Sequence, residues 1–143
     1  MSSSNPPVNR YLADKAMDRI DHALGRPIWP LRETYRNHYA TDATGTLAID
    51  FAYSAHWEQI GQSGTMAFFA VTELGRKALA AYLETLDAKE RFRPYVVAYE
   101  GHERIVPAKS AGNARYSEFL TVRDCFSKLT FAEFIRASSV RAA

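Results

Sequence analysis

In the stretch Phe69-Ala-Val-Thr-Glu-Leu-Gly-Arg-Lys-Ala-Leu79, the end of a predicted strand continues directly into a helix. The strand is the apolar run of residues 66–71. Thr72 then supplies an N-cap hydroxyl, and Glu73 lies in the first turn, where the helix dipole favours a carboxylate. Leucines and alanines at helical spacing follow as far as Leu86. This junction predicts a domain that combines strands and helices.

The elements before this junction are predicted less sharply. Apolar residues at spacings of three and four predict a helix over residues 11–24, which Gly25 ends. Residues 33–40 fit either a helical turn or a short strand, and residues 47–53 fit either a helix or a strand. Ser54 is expected to cap a short helix over residues 54–60.

The C-terminal part follows a charged connector at residues 87–92, the best candidate for a boundary within the chain. Beyond it the patterns predict two strands and two helices, over residues 95–99, 103–106, 111–126 and 131–137. Ser110 is the predicted N-cap of the first of these helices, and its inner side is expected to include Phe119 and Leu120. The second helix presents Phe131, Phe134 and Ile135, and Thr130 and Glu133 have the spacing of a capping box.

Composition gives weak guidance on the partner. The chain has 143 residues, 47% hydrophobic and 13% aromatic, which is enough apolar surface for an ordered core. Net charge is +2, but residues 1–88 hold 8 Lys or Arg against 10 Asp or Glu, whereas residues 89–143 hold 10 against 6. The C-terminal part is therefore mildly basic, as a phosphate-binding or simply a solvated surface would be.

Cofactors and disulfides are not expected. A single cysteine cannot form an internal disulfide, and the four histidines are not spaced in the close pairs typical of zinc ligands. Residues 1–9 are rich in Ser, Asn and Pro and are predicted to be flexible, without the pattern of a signal peptide. No apolar run approaches membrane-spanning length. The prediction is a cytoplasmic protein without a metal, a cofactor or a membrane partner.

Residues 57–83 resemble the second half of a winged-helix domain. In that family a hairpin strand enters a helix through a sequence of the type Val-Thr-x-x-Gly-Arg-x-Ala-Leu, which here is residues 71–79. The family reads bases with the helix that precedes the hairpin. The corresponding residues 54–60 carry no Arg or Lys.

The whole chain also resembles small uncharacterised proteins of bacteriophages and prophages. The segments that carry this resemblance are Ala23-Leu-Gly25, Tyr35-Arg-Asn-His-Tyr39, Phe69–Lys77, Ala108–Tyr116 and Leu129–Phe134. The resemblance implies an accessory role in a bacterial host: gene regulation, DNA handling or the blocking of a host system such as antiviral defence.

The predicted fold is α+β and mostly helical. A winged-helix-like N-terminal unit spans residues 10–88, and a small ββαα C-terminal unit spans residues 92–137 and packs on the first. The oligomeric state is left open, with a homodimer as one option.

The leading functional hypothesis is a non-enzymatic accessory protein that binds nucleic acid or a nucleoprotein complex. No nucleophile–base pair or pair of carboxylates stands out, so no catalytic residue is predicted. The expected phosphate contacts are Arg76, Lys77, Arg104, Lys109 and Arg115, the last three close together.

The alternative is a protein-directed inhibitor of a host system, anti-CRISPR-like, that acts by protein–protein contacts. Its expected contact residues are Trp29, Tyr35, Arg36, His38 and Tyr39. For Tyr35 and Tyr39, which are four residues apart, a place in the core is the competing interpretation.

Overall fold

The computed structural model describes residues 5–143 and divides them into two compact units. The first unit is Asn9–Thr85, and the second combines residues 5–8 with Leu86–Ala143. The fold is α+β, as predicted, but "mostly helical" is wrong, since 34% of the structure is helix and 27% is strand. Among the described residues no helix is long and apolar enough to cross a membrane.

The first unit is an antiparallel three-stranded sheet with three helices. Its elements in chain order are α1 (Lys15–Ala23), β1 (Tyr39–Asp42), α2 (Thr46–Ala52), β2 (Trp57–Ser63), β3 (Met66–Val71) and α3 (Glu73–Glu84). The strand order is β1-β3-β2, so the predicted strand β3 lies in the centre. The predicted entry of β3 into a helix capped by Thr72 is confirmed.

The prediction of a helix over residues 54–60 is wrong, because these residues form a turn and the start of β2. Trp57 pairs with Val71 in the sheet and stacks on Phe51 of α2, with 3.9 Å between the ring centroids. The pairing with β3 and the ring contact with α2 hold this segment extended. Neither contact is local in sequence, and residues 54–60 alone could not indicate them.

α1 begins four residues later than the pattern of apolar residues indicated. Asp14 caps the helix by accepting a hydrogen bond from the Met17 amide at 3.1 Å. Before it, Arg10 binds the Asp21 carboxylate, which is fully buried. Arg26 binds the same carboxylate at 3.2 Å. A buried carboxylate needs such partners, so Arg10 serves this ion pair and lies outside the helix.

The residues of the Thr-x-x-Gly-Arg sequence each fix a different part of the first unit. The Thr72 hydroxyl accepts from the Gly75 amide at 3.2 Å and lies 2.6 Å from the Ala55 carbonyl oxygen, to which it donates. Gly75 lies so close to the turn at His56 that an added Cβ would be 2.6 Å from the His56 carbonyl oxygen. Arg76 binds the loop at residues 30–34. The start of α3 therefore holds both the turn before β2 and the loop before β1.

The second unit is a three-stranded sheet with two helices. Its elements are β4 (Arg93–Tyr99), β5 (His102–Ala108), α4 (Ala111–Val122), α5 (Phe131–Ala137) and β6 (Ser138–Ala142). All pairs are antiparallel, in the order β5-β4-β6. The predicted ββαα order is correct as far as it goes but lacks β6, which has a single large apolar residue, Val140, and is defined by its pairing with β4.

The caps of the two helices in the second unit are as predicted. The Ser110 hydroxyl accepts from the Asn113 amide at 3.1 Å. The Thr130 hydroxyl accepts from the Glu133 amide at 3.2 Å, and the Glu133 carboxylate accepts from the Thr130 amide at 2.9 Å.

The flexibility predicted for residues 1–9 stays a prediction. Residues 1–4 lie outside the described residues, and within the remainder Asn5 and Val8 are buried.

Candidate functional site

Arg76, a predicted phosphate contact, is occupied by contacts within the first unit. One terminal nitrogen of its guanidinium donates to the carbonyl oxygens of Pro30 at 3.0 Å and Arg32 at 3.1 Å. The other donates to the Thr34 hydroxyl at 3.2 Å. A guanidinium with these three acceptors has a structural role. The neighbouring Lys77 is exposed.

The three predicted cations of the second unit make different contacts. Arg104 lies on β5 and pairs with Glu118 at 3.1 Å. Arg115 reaches the other edge of the sheet, where it donates to the carbonyl oxygen of Ser138 at 3.2 Å. Arg104 and Arg115 are both linked to α4, because the Glu118 that Arg104 binds lies three residues from Arg115 on that helix. The expected grouping of the three cations stays a prediction.

Lys109 is exposed beside the start of α4. Its ammonium lies 5.4 Å from the centre of the Phe92 ring, and the exposed Arg93 donates to the Lys109 carbonyl oxygen at 3.4 Å. Arg93 and Lys109 are thus neighbouring cations next to the helix N-terminus that Ser110 caps.

The central region of the first unit is free of basic side chains. Between Arg36 and Arg76 the sequence has no Lys or Arg but has four acidic residues, Asp42, Asp50, Glu58 and Glu73. This segment forms β1, α2, β2 and β3. A phosphate backbone would find no basic side chain on these elements.

The predicted partner-binding residues differ in exposure. Tyr35 is 67% exposed, with its ring against Gly25, and His38 is exposed with its ring 5.3 Å from that of Phe68. Tyr39 instead packs edge-on against the core rings of Phe51 and Trp57, so the competing interpretation is correct for it.

The other two predicted partner-binding residues make local contacts. The indole of Trp29 is half-buried beneath the guanidinium of Arg32, at 3.9 Å from its ring centre. Arg36 is also half-buried and donates to the His38 carbonyl oxygen at 3.2 Å. Within the predicted set, Tyr35 and His38 are the side chains open to a partner.

A second apolar surface, which the sequence patterns did not single out, lies on the helices of the second unit. We call it the helix surface and define it as Tyr116, Leu120, Phe131 and Ile135. Tyr116 is 47% exposed, Leu120 36% and Ile135 39%, and the rings of Tyr116 and Phe131 meet edge-on at 5.1 Å. The expectation that Leu120 faces inward is wrong. Tyr116 and Leu120 on α4 are four residues apart, as are Phe131 and Ile135 on α5. This spacing places each pair on one helix face and could have indicated the surface from the sequence.

The first unit also contains a cleft of about 180 Å³ between α1, α2 and the turn before β2. Its floor consists of Ile20, Phe51 and Trp57, all buried. Polar side chains border it, among them Arg19 from α1, Asp50 from α2 and His56 from the turn. The cleft is therefore apolar at its base with charges of both signs at its rim.

Comparison with protein-family models, with curated proteins and with solved structures finds no match to this chain. The resemblances to winged-helix domains and to phage proteins stay predictions. Function is argued from the surfaces themselves.

Proposed function

We propose that this chain is a non-enzymatic phage or prophage accessory protein that binds another protein through the helix surface of its second unit. The observation that carries the proposal is the exposure of Tyr116, Leu120 and Ile135 beside Phe131 on two neighbouring helices. Large apolar side chains that form one exposed group are typical of protein interfaces. Aromatic residues such as tyrosine are enriched among the contacts that dominate binding.

Tyr116, Leu120 and Ile135 of the helix surface are exposed, whereas Phe131 packs against the core beneath it. Phe134 on α5 is fully buried, and Phe119 on α4 is 6% exposed. These residues fill the space between the helices and the sheet, so Tyr116 and Ile135 are not needed to close the core. Retaining apolar side chains outside a completed core supports a role in contact with a partner.

The placement of the cations favours a protein over nucleic acid. Of the five predicted phosphate contacts, Arg76, Arg104 and Arg115 bind groups of their own chain. The first unit lacks basic residues from β1 to β3. A host protein, such as a component of an antiviral defence complex, is the partner class that this surface fits best.

The test is affinity capture from a bacterial host lysate, quantified against variants of the tagged protein. The double variant Tyr116→Ser, Ile135→Ser is expected to lose the captured partner. Leu74→Ser, which removes a 58% exposed leucine from α3, is the matched control and is expected to retain it. Equal capture by both variants would reject the helix surface as the binding site.

Nucleic-acid binding is the second candidate, and one observation favours it. Arg93 and Lys109 are adjacent exposed cations beside the N-terminus of α4, where the helix dipole also favours an anion. This candidate predicts binding to labelled DNA that weakens steeply with salt and is lost in the double variant Arg93→Gln, Lys109→Gln. Absence of DNA binding at low salt would exclude it.

A further inference from the structure

Two opposite charges border the cleft of the first unit without being paired. Arg19 projects from α1 and Asp50 from α2. Within residues 5–143 neither side chain forms an ion pair or a side-chain hydrogen bond. By contrast, Asp18 and Asp21 on α1 are both bound by arginine. The charges at the cleft are therefore available to a ligand.

The floor of the cleft is apolar and aromatic. The rings of Phe51 and Trp57 stack at 3.9 Å with 11° between their planes, and Ile20 is 1% exposed. Such a floor favours an aliphatic or aromatic group of the ligand. At about 180 Å³ the cleft is similar in size to a protein cavity of about 150 Å³ that binds benzene, so it suits a small ligand of about amino-acid size.

The wall of the cleft is fixed before any ligand arrives. The Ser54 hydroxyl accepts from the His56 amide at 3.1 Å, and Thr72 donates to Ala55 at 2.6 Å. Gly75 of α3 packs directly against His56. A wall held by these contacts loses little conformational freedom on binding, which favours affinity for a small ligand.

We propose that this cleft binds a free α-amino acid with an apolar side chain. Arg19 binds the carboxylate, Asp50 binds the ammonium group, and the side chain lies on Phe51 and Trp57. A ligand with one charge would leave the opposite rim charge unused, whereas a zwitterion uses both. The site lies in the first unit and shares no residue with the helix surface, so the two proposals stand or fall separately.

The test is a titration of the ¹⁵N-labelled full chain followed by NMR at the indole NH of Trp57. Leucine is expected to produce saturable shifts. N-acetylleucine lacks the ammonium group and leucinamide lacks the carboxylate, so each is expected to bind about tenfold more weakly, the loss of one charge-assisted contact.

Substitution of the two charged residues at the cleft complements the titrations with ligand analogues. Arg19→Gln and Asp50→Asn are each expected to weaken leucine binding about tenfold. Asp50→Asn should have little effect on the binding of N-acetylleucine, which has no ammonium group. Arg32→Gln and Glu58→Gln change the same charges outside the cleft and should bind leucine like the unmodified chain.

Three results would overturn the proposal. One is the absence of saturable shifts at millimolar leucine. Another is unchanged leucine binding in both Arg19→Gln and Asp50→Asn. The third is N-acetylleucine binding as tightly as leucine, because that result would assign the cleft to the carboxy-terminus of a peptide instead.

Discussion

The side chain of Asn37 binds both backbone polar groups of Val71. Its Oδ1 accepts from the Val71 amide at 2.7 Å, and its Nδ2 donates to the Val71 carbonyl oxygen at 3.0 Å. Val71 is the last residue of β3, and β1 pairs with β3 only as far as Tyr39 and Phe69. Asn37 thus continues the edge of the sheet with a side-chain amide.

Replacing Asn37 by alanine is expected to destabilise the first unit. The substitution leaves two backbone groups of a buried residue without their partners, which costs about 1–3 kcal/mol per group. Urea unfolding followed by fluorescence would measure the change. Asn9→Ala, an exposed asparagine of the same unit, is the control and should leave the unfolding midpoint nearly unchanged.

Gly75→Ala is expected to destabilise the protein although alanine is the better helix former. Alanine gains roughly 1 kcal/mol in helix propensity. Its Cβ, however, would lie 2.6 Å from both the His56 carbonyl oxygen and a Val71 methyl carbon, so the turn or the helix must move. Gly112→Ala on α4 meets no atom within 4 Å and should instead raise the melting temperature. A melting temperature that falls for Gly75→Ala and rises for Gly112→Ala would establish the contact between Gly75 and His56. A higher melting temperature for Gly75→Ala would contradict it.

Asp18 should make stability depend on pH in the acidic range. The hydrogen bond from Arg26 is the main cause that lowers the pKa of the Asp18 carboxyl below its ordinary value of 3.8. A lowered pKa in the folded state stabilises the fold above pH 3.8, and that contribution is lost as pH falls through the folded pKa. Asp18→Asn should therefore flatten the stability profile below about pH 4, as measured by urea unfolding from pH 2 to 5. An unchanged profile would contradict this.

Glu118 should have the opposite effect. Burial raises the pKa of its carboxyl above 4.5, and Arg104, whose side chain is 60% exposed, only partly offsets this. The stability associated with a raised pKa is complete below pH 4.5 and declines as pH rises through the folded value. Glu118→Gln should consequently be at least as stable as the unmodified chain at pH 7, with a smaller decline from pH 4 to 7. Glu103→Gln, which breaks the exposed pair with Arg141, is the control and should change stability by less than about 1 kcal/mol.

The sequence predicted elements whose signals are local. β3, the Thr72 cap, the Ser110 cap and the Thr130 capping box depend on residues within a few positions of one another. β2 and β6 depend on pairing with distant strands, which short windows of sequence do not contain. Because β2 and β6 were not predicted, the fold was expected to be mostly helical.

The predicted binding residues were limited by the same lack of non-local information. The sequence shows that Arg76 and Arg104 are charged but not that three acceptors of a loop and Glu118 already bind them. The spacing of Tyr35 and Tyr39 suggested a shared face, yet Tyr39 is the first residue of β1, whereas Tyr35 lies in the loop before it and is 67% exposed. The polar residues at the cleft come from three separated segments.

The second unit is formed by two separated segments of the chain, and this affects the order of folding during synthesis on the ribosome. Residues 5–8 belong to the same unit as Leu86–Ala143, so the chain makes the first part of that unit early and the rest only after all of Asn9–Thr85. The first unit can close as soon as α3 has left the exit tunnel. Residues 5–8 must wait until Leu86–Ala143 has also been made. Translation therefore sets an order in which Asn9–Thr85 can fold before residues 5–8 can join Leu86–Ala143.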